Sequence, residues 1–264
     1  MKRVVFGAIC ATLLWSANVA GGGETAADRG WDIYGKNCSP CHGMTGNGDG
    51  LEAWMIGFEA RDLRAGTFKY RSTVSGSRPT AADLERTMAR GVPMTFMPHH
   101  RDMSAEDLRI VAKYLEGAFM KGRPLTEPVE IPEPPGSLGS PGSLARGAHL
   151  YDLLQCGVCH ASRRGTSGRP SSSFDPDAWG RPQHPPNLAA LIFKSGPGPE
   201  DVYRTVLTGL DGTAMPAFAD ALEPGCAVRQ GDGWHLVSYI MSLRSVPAES
   251  RRKTPRFSYE SLLP

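Results

Sequence analysis

The sequence predicts an all-α protein of two tandem domains joined by a linker that is rich in proline and glycine. The first observation is a pentapeptide, Cys-x-x-Cys-His, that occurs twice, starting at Cys38 and at Cys156. The second is a Met-Pro pair after each pentapeptide, because Met97 and Met215 both lie 55 residues after the histidine. The third is the segment 121–142, which holds six prolines together with glycine and serine. Repetition on both sides of such a segment indicates a duplicated unit.

Each unit begins with a predicted helix that leads into its pentapeptide. Residues 29–34 and 146–151 share the pattern Arg-Gly-x-x-(Ile or Leu)-Tyr. In the first unit we expect this helix to present Trp31 and Tyr34 to the interior, since large aromatic side chains contribute much of the buried area of a small core.

Two further helices are predicted in each unit. In the first unit, Thr80 and Asp83 form a capping-box pattern, and Gly91 ends the helix that they begin. The equivalent helices of the second unit are predicted over residues 199–208 and 232–243. The last helix of the first unit has apolar residues at i, i+3, i+4 and i+7, namely Leu108, Val111, Ala112 and Leu115.

The pentapeptide itself carries the chemistry, since Cys-x-x-Cys-His is the attachment signature of a c-type haem. Its two thiols can form thioethers with the vinyl groups of one haem, and the adjacent imidazole can then serve as the proximal ligand of the iron. The sequence therefore predicts two covalently attached haem c groups. The residues concerned are Cys38, Cys41 and His42 for the first haem and Cys156, Cys159 and His160 for the second.

The order of aromatic helix, pentapeptide, loop, helix, Met-Pro loop and terminal helix resembles the class I cytochrome c family, here as a tandem di-haem protein. The resemblance covers residues 28–120 and 143–245. It implies cytochrome c-like domains wrapped around haem, His and Met as axial iron ligands, and one-electron transfer between redox partners outside the cytoplasm. Carried over to this chain, the iron ligands are His42 and Met97 in domain one and His160 and Met215 in domain two.

The methionine loop of domain one leaves an alternative open. Met94 stands where such loops often have glycine, so either of two sulfur atoms could face the iron. Met97 is favoured because Pro98 restricts its backbone to an extended shape. The same Met-Pro step occurs at Met215 and Pro216.

The resemblance also implies that a backbone carbonyl holds the proximal imidazole. In domain two the expected residue is Pro186, which precedes Asn187 and Leu188. In domain one Arg61 stands at that place, so the equivalent hydrogen bond is left open, although any residue can supply a carbonyl. His184 lies in the same loop as Pro186 and is an alternative iron ligand.

The N-terminal segment 1–22 predicts an exported, periplasmic or otherwise extracytoplasmic protein. Lys2 and Arg3 precede an apolar run over residues 4–14, which is the pattern of a signal peptide. The alternative is an uncleaved anchor. The formal net charge of the chain is +2, and removal of this segment would bring it close to zero, which excludes a global basic field for binding nucleic acid.

We expect domain one to span residues 28–120, the linker 121–142 and domain two 143–247, followed by a basic tail over 248–264. The linker composition predicts an extended, semi-rigid connector, and hence two halves that fold separately. We expect the basic tail to be exposed to solvent. The alternative is that it docks to an acidic partner or to a membrane surface. Cys226 belongs to neither pentapeptide, and we expect it to be a free thiol.

Electron transfer is the favoured function, either as a soluble carrier or as a subunit of a respiratory oxidoreductase, with redox proteins as partners. A haem with two protein ligands has no open position for a substrate, so it suits a carrier. The alternative is a di-haem enzyme of the peroxidase or thiosulfate dehydrogenase type, for which Cys226 is the only free thiol that could act as an unusual ligand. A third hypothesis, a zinc or dithiol protein, lacks a fourth ligand at suitable spacing.

Overall fold

The computed structural model describes residues 25–160, 174–189, 192–225 and 228–245. Across these ranges every regular element is a helix, which confirms the predicted all-α class. The predicted signal segment, Cys226 and the basic tail lie outside the described residues.

Five helices form domain one, and four helices with two short 3₁₀ turns are described in domain two. Those of domain one are α1 Ala26–Asn37, α2 Ser39–His42, α3 Leu51–Met55, α4 Ala81–Arg90 and α5 Ala105–Phe119. Those of domain two are α6 Pro141–Leu153, α7 Cys156–Cys159, α8 Pro199–Thr208 and α9 Asp232–Ser242, with the 3₁₀ turns Asp220–Leu222 and Leu243–Ser245.

The predicted cap of α4 is present in full. The Thr80 hydroxyl accepts from the Asp83 amide, and the Asp83 carboxylate accepts from the Thr80 amide. The same carboxylate is buried and also accepts hydrogen bonds from the amide and hydroxyl of Ser72, at 2.8 and 2.9 Å. Asp83 therefore fixes both the start of α4 and the loop that precedes it.

In each domain the first helix crosses the last helix at a glycine. A Cβ atom on Gly30 would lie 2.7 Å from the Cβ of Tyr114, and one on Gly147 would overlap the carbonyl oxygen of His235. The two helix pairs, α1 with α5 and α6 with α9, thus approach more closely than any other residue type would allow. The glycine of the repeated Arg-Gly pattern is the residue that permits this crossing.

We expect Gly147→Ala to destabilise the protein by about 1–3 kcal/mol, because the added methyl group must displace the backbone of α9. Gly142 is the matched control on the same helix, since nothing lies within 4 Å of the position of its Cβ. Gly142→Ala should be neutral or stabilising by up to about 1 kcal/mol, because alanine favours a helix. Equal unfolding free energies for the two variants in chemical denaturation would show that the crossing tolerates a side chain.

The arginine of the same pattern ties each first helix to the last helix of its domain. Arg29 lies 2.6 Å from the carboxylate of Asp107, and Arg146 forms the equivalent ion pair with Asp232.

The prediction that Trp31 faces the interior is wrong, because its side chain is 44% exposed. Positions three residues apart on a helix differ by about 60° around the axis, so Tyr34 points into the core while Trp31 lies at its edge.

Residues 121–140 of the linker form no helix or strand, and they pack against both domains. The amide of Val129 donates to the carbonyl of Ser72 in domain one at 2.7 Å. The indole of Trp234 in domain two donates to the carbonyl of Pro132 at 2.6 Å. The side chains of Val129, Ile131 and Leu138 contact the core of domain two. The predicted linker ends earlier than expected, because Pro141 already starts α6.

A buried ion pair joins the two domains directly. The side chain of Arg71 is fully buried and lies 2.8 Å from the carboxylate of Asp211. Arg71 also donates to the carbonyl of Thr208 at 2.8 Å. The Asp211 carboxylate accepts from the hydroxyl of Ser75 at 2.7 Å and from the amide of Gly76 at 3.0 Å. Every contact in this group crosses from one domain to the other.

Candidate haem-attachment sites

Domain two contains a cavity of about 710 Å³ that brings its four predicted site residues together. Cys156, Cys159, His160 and Met215 all line it. A volume of this size is within the range of about 300–1,000 Å³ that is usual for cofactor sites. The remaining wall is mostly apolar and includes Tyr151, Leu154, Leu188, Phe193, Val206, Phe218, Leu236 and Ile240.

The orientation of His160 suits a metal ligand. Its Nδ1 donates to the carbonyl of Pro186 at 3.1 Å, as the resemblance implied. Since a carbonyl can only accept, Nδ1 must hold the proton, and the lone pair of Nε2 is left for a metal. Burial lowers the pKa of His160, which also favours the neutral, ligating form.

His42 has the same arrangement, which answers the question left open for domain one. Its Nδ1 donates to the carbonyl of Arg61 at 2.9 Å, so an arginine supplies the carbonyl that Pro186 supplies in domain two. Burial lowers the pKa of His42 as well. The hydrogen bond depends on the backbone, so the change of side chain does not remove it.

A tyrosine in each first helix fixes the backbone at the end of the pentapeptide. The hydroxyl of Tyr34 donates to the carbonyl of Gly43 at 2.5 Å, and that of Tyr151 donates to the carbonyl of His160 at 3.0 Å. Burial raises the pKa of both phenols, so they remain donors at neutral pH. The sequence predicted Tyr34 as a core residue and indicated no role for Tyr151, so this hydrogen bond was missed, although the repetition of a tyrosine ahead of each pentapeptide was the available signal.

The four pentapeptide cysteines are free thiols in the structure. Burial raises the pKa of Cys38 and of Cys156 to about 11, so both are protonated at neutral pH. Reactive dithiol motifs instead have a cysteine with a lowered pKa. The pKa values of Cys38 and Cys156 are therefore unlike those of a reactive dithiol site.

The two methionine loops have the same backbone structure. In each, the methionine carbonyl accepts from the amide five residues earlier, at 3.1 Å. The methionine amide in turn lies 3.2 Å from the hydroxyl of a threonine two residues earlier. The residues are Val92, Thr95 and Met97 in domain one and Leu210, Thr213 and Met215 in domain two.

This equivalence distinguishes Met97 from Met94. Met94 has a φ of 58°, and it occupies the left-handed position that Gly212 occupies in domain two with a φ of 77°. Its side chain is 73% exposed, whereas Met97 is half-buried and packs against the core of domain one. Met97, and not Met94, is therefore the structural equivalent of Met215.

Sequence reasoning did not place any residue of domain one in the second site. Nevertheless Lys69 and Tyr70 line the cavity of domain two. The alternative ligand His184 also lines this cavity, but its side chain is exposed. The second site is thus built from both domains.

In the described part of the chain, no group of three or more His, Cys, Asp or Glu side chains is arranged to hold a metal ion. None of the helices described there has both the length and the apolar character needed to cross a membrane.

Comparison with known proteins identifies the family. A family model described as cytochrome c oxidase, cbb3-type, subunit III matches twice, over residues 25–115 and 142–240. Among solved structures, a chain of the reducing HAO-like protein complex of Kuenenia stuttgartiensis is 33% identical with a TM-score of 0.70, and the match covers 82% of this chain and 96% of that one. No curated protein matches. The chain therefore belongs to the c-type cytochrome family described as cytochrome c oxidase, cbb3-type, subunit III, and consists of two tandem cytochrome c domains.

Proposed function

We propose that this protein is an exported c-type cytochrome that carries two covalent haems and transfers single electrons between redox proteins. The observation that carries the proposal is the cavity of domain two, where two thiols, an oriented imidazole and a thioether line one apolar space. The equivalent hydrogen bonds in domain one support a second site of the same kind. A haem held there supplies an iron that accepts and releases one electron.

The residues of each site have separate tasks. The cysteines would attach the cofactor, and the histidine would bind the iron through Nε2 while a backbone carbonyl orients its ring. The methionine, whose loop is held by its own hydrogen bonds, would supply the second protein ligand of the iron. If the histidine and the methionine both bound the iron, the protein would leave no coordination position open to a substrate. This arrangement supports electron transfer rather than the di-haem enzyme alternative.

Two comparisons support a place in a larger redox assembly. The description of the family model names a subunit of an oxidase, and the similar solved structure is a chain of a protein complex. We therefore favour an electron-transfer subunit of a respiratory oxidoreductase over a free carrier. Export is proposed on the basic residues Lys2 and Arg3 and the apolar run that follows them.

Mass spectrometry of protein matured in an exporting host that attaches c-type haem tests the proposal. We expect a mass that shows two haem additions and the loss of roughly 20 N-terminal residues. The double variant Cys38→Ser, Cys41→Ser should show a single addition. A wild-type mass with one haem or none would contradict the proposal, and a high-spin ferric spectrum would instead favour the enzyme alternative.

A further inference from the structure

A group of cationic side chains lies where domain one meets the cavity of domain two. Lys69 and Tyr70 reach this cavity from domain one, and Lys194 lines it from domain two. Lys69 is only 25% exposed. The cavity wall therefore combines an apolar interior, which suits a tetrapyrrole ring, with basic groups from both domains.

Arg61 adds a second cation from domain one beside Lys69. Its guanidinium lies over the ring of Trp179, 3.4 Å from the centroid, and the Lys69 ammonium lies 5.2 Å from the centroid of the same ring. The Nη1 atom of Arg61 is buried and has no hydrogen-bond partner among the described residues. An unsatisfied buried donor on a charged group is costly, which points to a missing acceptor.

The carboxylates near these cations do not balance their charge. Asp177 pairs with Lys69 at 3.4 Å, and the exposed Glu59 pairs with Arg181 at 3.0 Å. Within the described residues no carboxylate forms an ion pair with Arg61 or Lys194. The group is thus short of negative charge.

We infer that Lys69 and Lys194, which line the cavity, bind the propionate carboxylates of the haem in domain two, and that Arg61 adds positive charge beside Lys69. These three residues are called the interdomain cation cluster. Domain one then completes the haem site of its neighbour. This inference rests on the proposed function, because it requires a haem in the second cavity. It adds that the two domains share one cofactor site, which their separate sequence motifs do not indicate.

The cluster should also set the reduction potential of the second haem. Positive charge next to the propionates stabilises the ferrous state, whose iron has the lower charge. Removal of one cation should therefore lower the potential of the haem in domain two. The other haem has its own ligands and should be affected much less.

Spectroelectrochemistry of the di-haem protein tests this role with Lys69→Met and Lys194→Met. The wave of domain two is assigned as the one that remains in the double variant Cys38→Ser, Cys41→Ser. We expect both lysine variants to shift this wave to lower potential and to leave the other wave in place. Lys69→Arg should restore the wild-type value, because it keeps the charge. Lys121→Met is the control, since Lys121 is an exposed cation of the linker outside the cavity wall.

The outcomes separate the inference from the proposed function. An unchanged domain-two potential in both Lys69→Met and Lys194→Met, with both haems attached, overturns the cation cluster and leaves electron transfer intact. A wild-type protein without a haem in domain two overturns the proposed function itself. Loss of only the second haem in Lys69→Met, with its retention in Lys69→Arg, supports the cluster as part of the binding site.

Discussion

Met215→His should lower the reduction potential of the haem in domain two and leave that of domain one nearly unchanged. A thioether is a soft, weakly basic ligand that favours ferrous iron, whereas imidazole favours the ferric state. Axial ligands span roughly 0.8 V of potential, so we expect a shift on the order of a few tenths of a volt. Redox titration followed by the visible spectrum measures both haems in one sample.

Met97→His is the matching change in domain one and should move only the other redox wave. Met94→His is its internal control, because Met94 lies in the same loop with its side chain exposed. Each ligand substitution should also remove about half of the near-infrared sulfur-to-iron charge-transfer band if the haems contribute equally. A shift in Met94→His with none in Met97→His would reassign the ligand. An unaltered spectrum and potential in Met215→His would show that Met215 is not a ligand, and would favour the di-haem enzyme alternative for domain two.

The parts of the fold that sequence reasoning predicted well depend on local interactions. The cap at Thr80 and the stripe over α5 are confirmed, because capping and helical periodicity involve residues only three to seven positions apart. The proposed attachment residues could be named for the same reason, since the pentapeptide is itself a local pattern; their attachment to haem stays a prediction. The hydrogen bond from His160 to Pro186 needed the family resemblance, because it spans 26 residues.

The parts that could not be predicted depend on contacts between distant segments. Nothing near Lys69 in the sequence indicates that it faces a cavity of the other domain. The proline-rich linker was expected to be a spacer, because its composition does not reveal that Trp234 would bond to its backbone. Such contacts depend on how the two domains are placed against each other. The spacing of motifs in the sequence of either domain does not indicate that placement.

Among the contacts between the two domains, the buried ion pair of Arg71 and Asp211 has the largest expected effect on stability. The exposed fractions of the two side chains are 0% and 8%, so neither charge can be solvated in place of its partner. Removal of one member leaves the other charge buried without compensation, which typically costs about 3–5 kcal/mol. The sequence-based expectation that the halves fold separately must therefore be tested against this contact.

Asp211→Asn should lower the free energy of unfolding by about 3–5 kcal/mol while both haems stay attached. Glu59→Gln is the matched control, because Glu59 also forms an ion pair between the domains but is 79% exposed, and its loss should cost at most about 1 kcal/mol. The double variant Arg71→Met, Asp211→Leu should recover part of the loss, since no charge is left buried. Chemical denaturation of the four proteins measures these differences. An Asp211→Asn protein as stable as the Glu59→Gln control would mean that the domains do not depend on each other through this contact, and would return the two halves to the separate folding that the linker composition predicts.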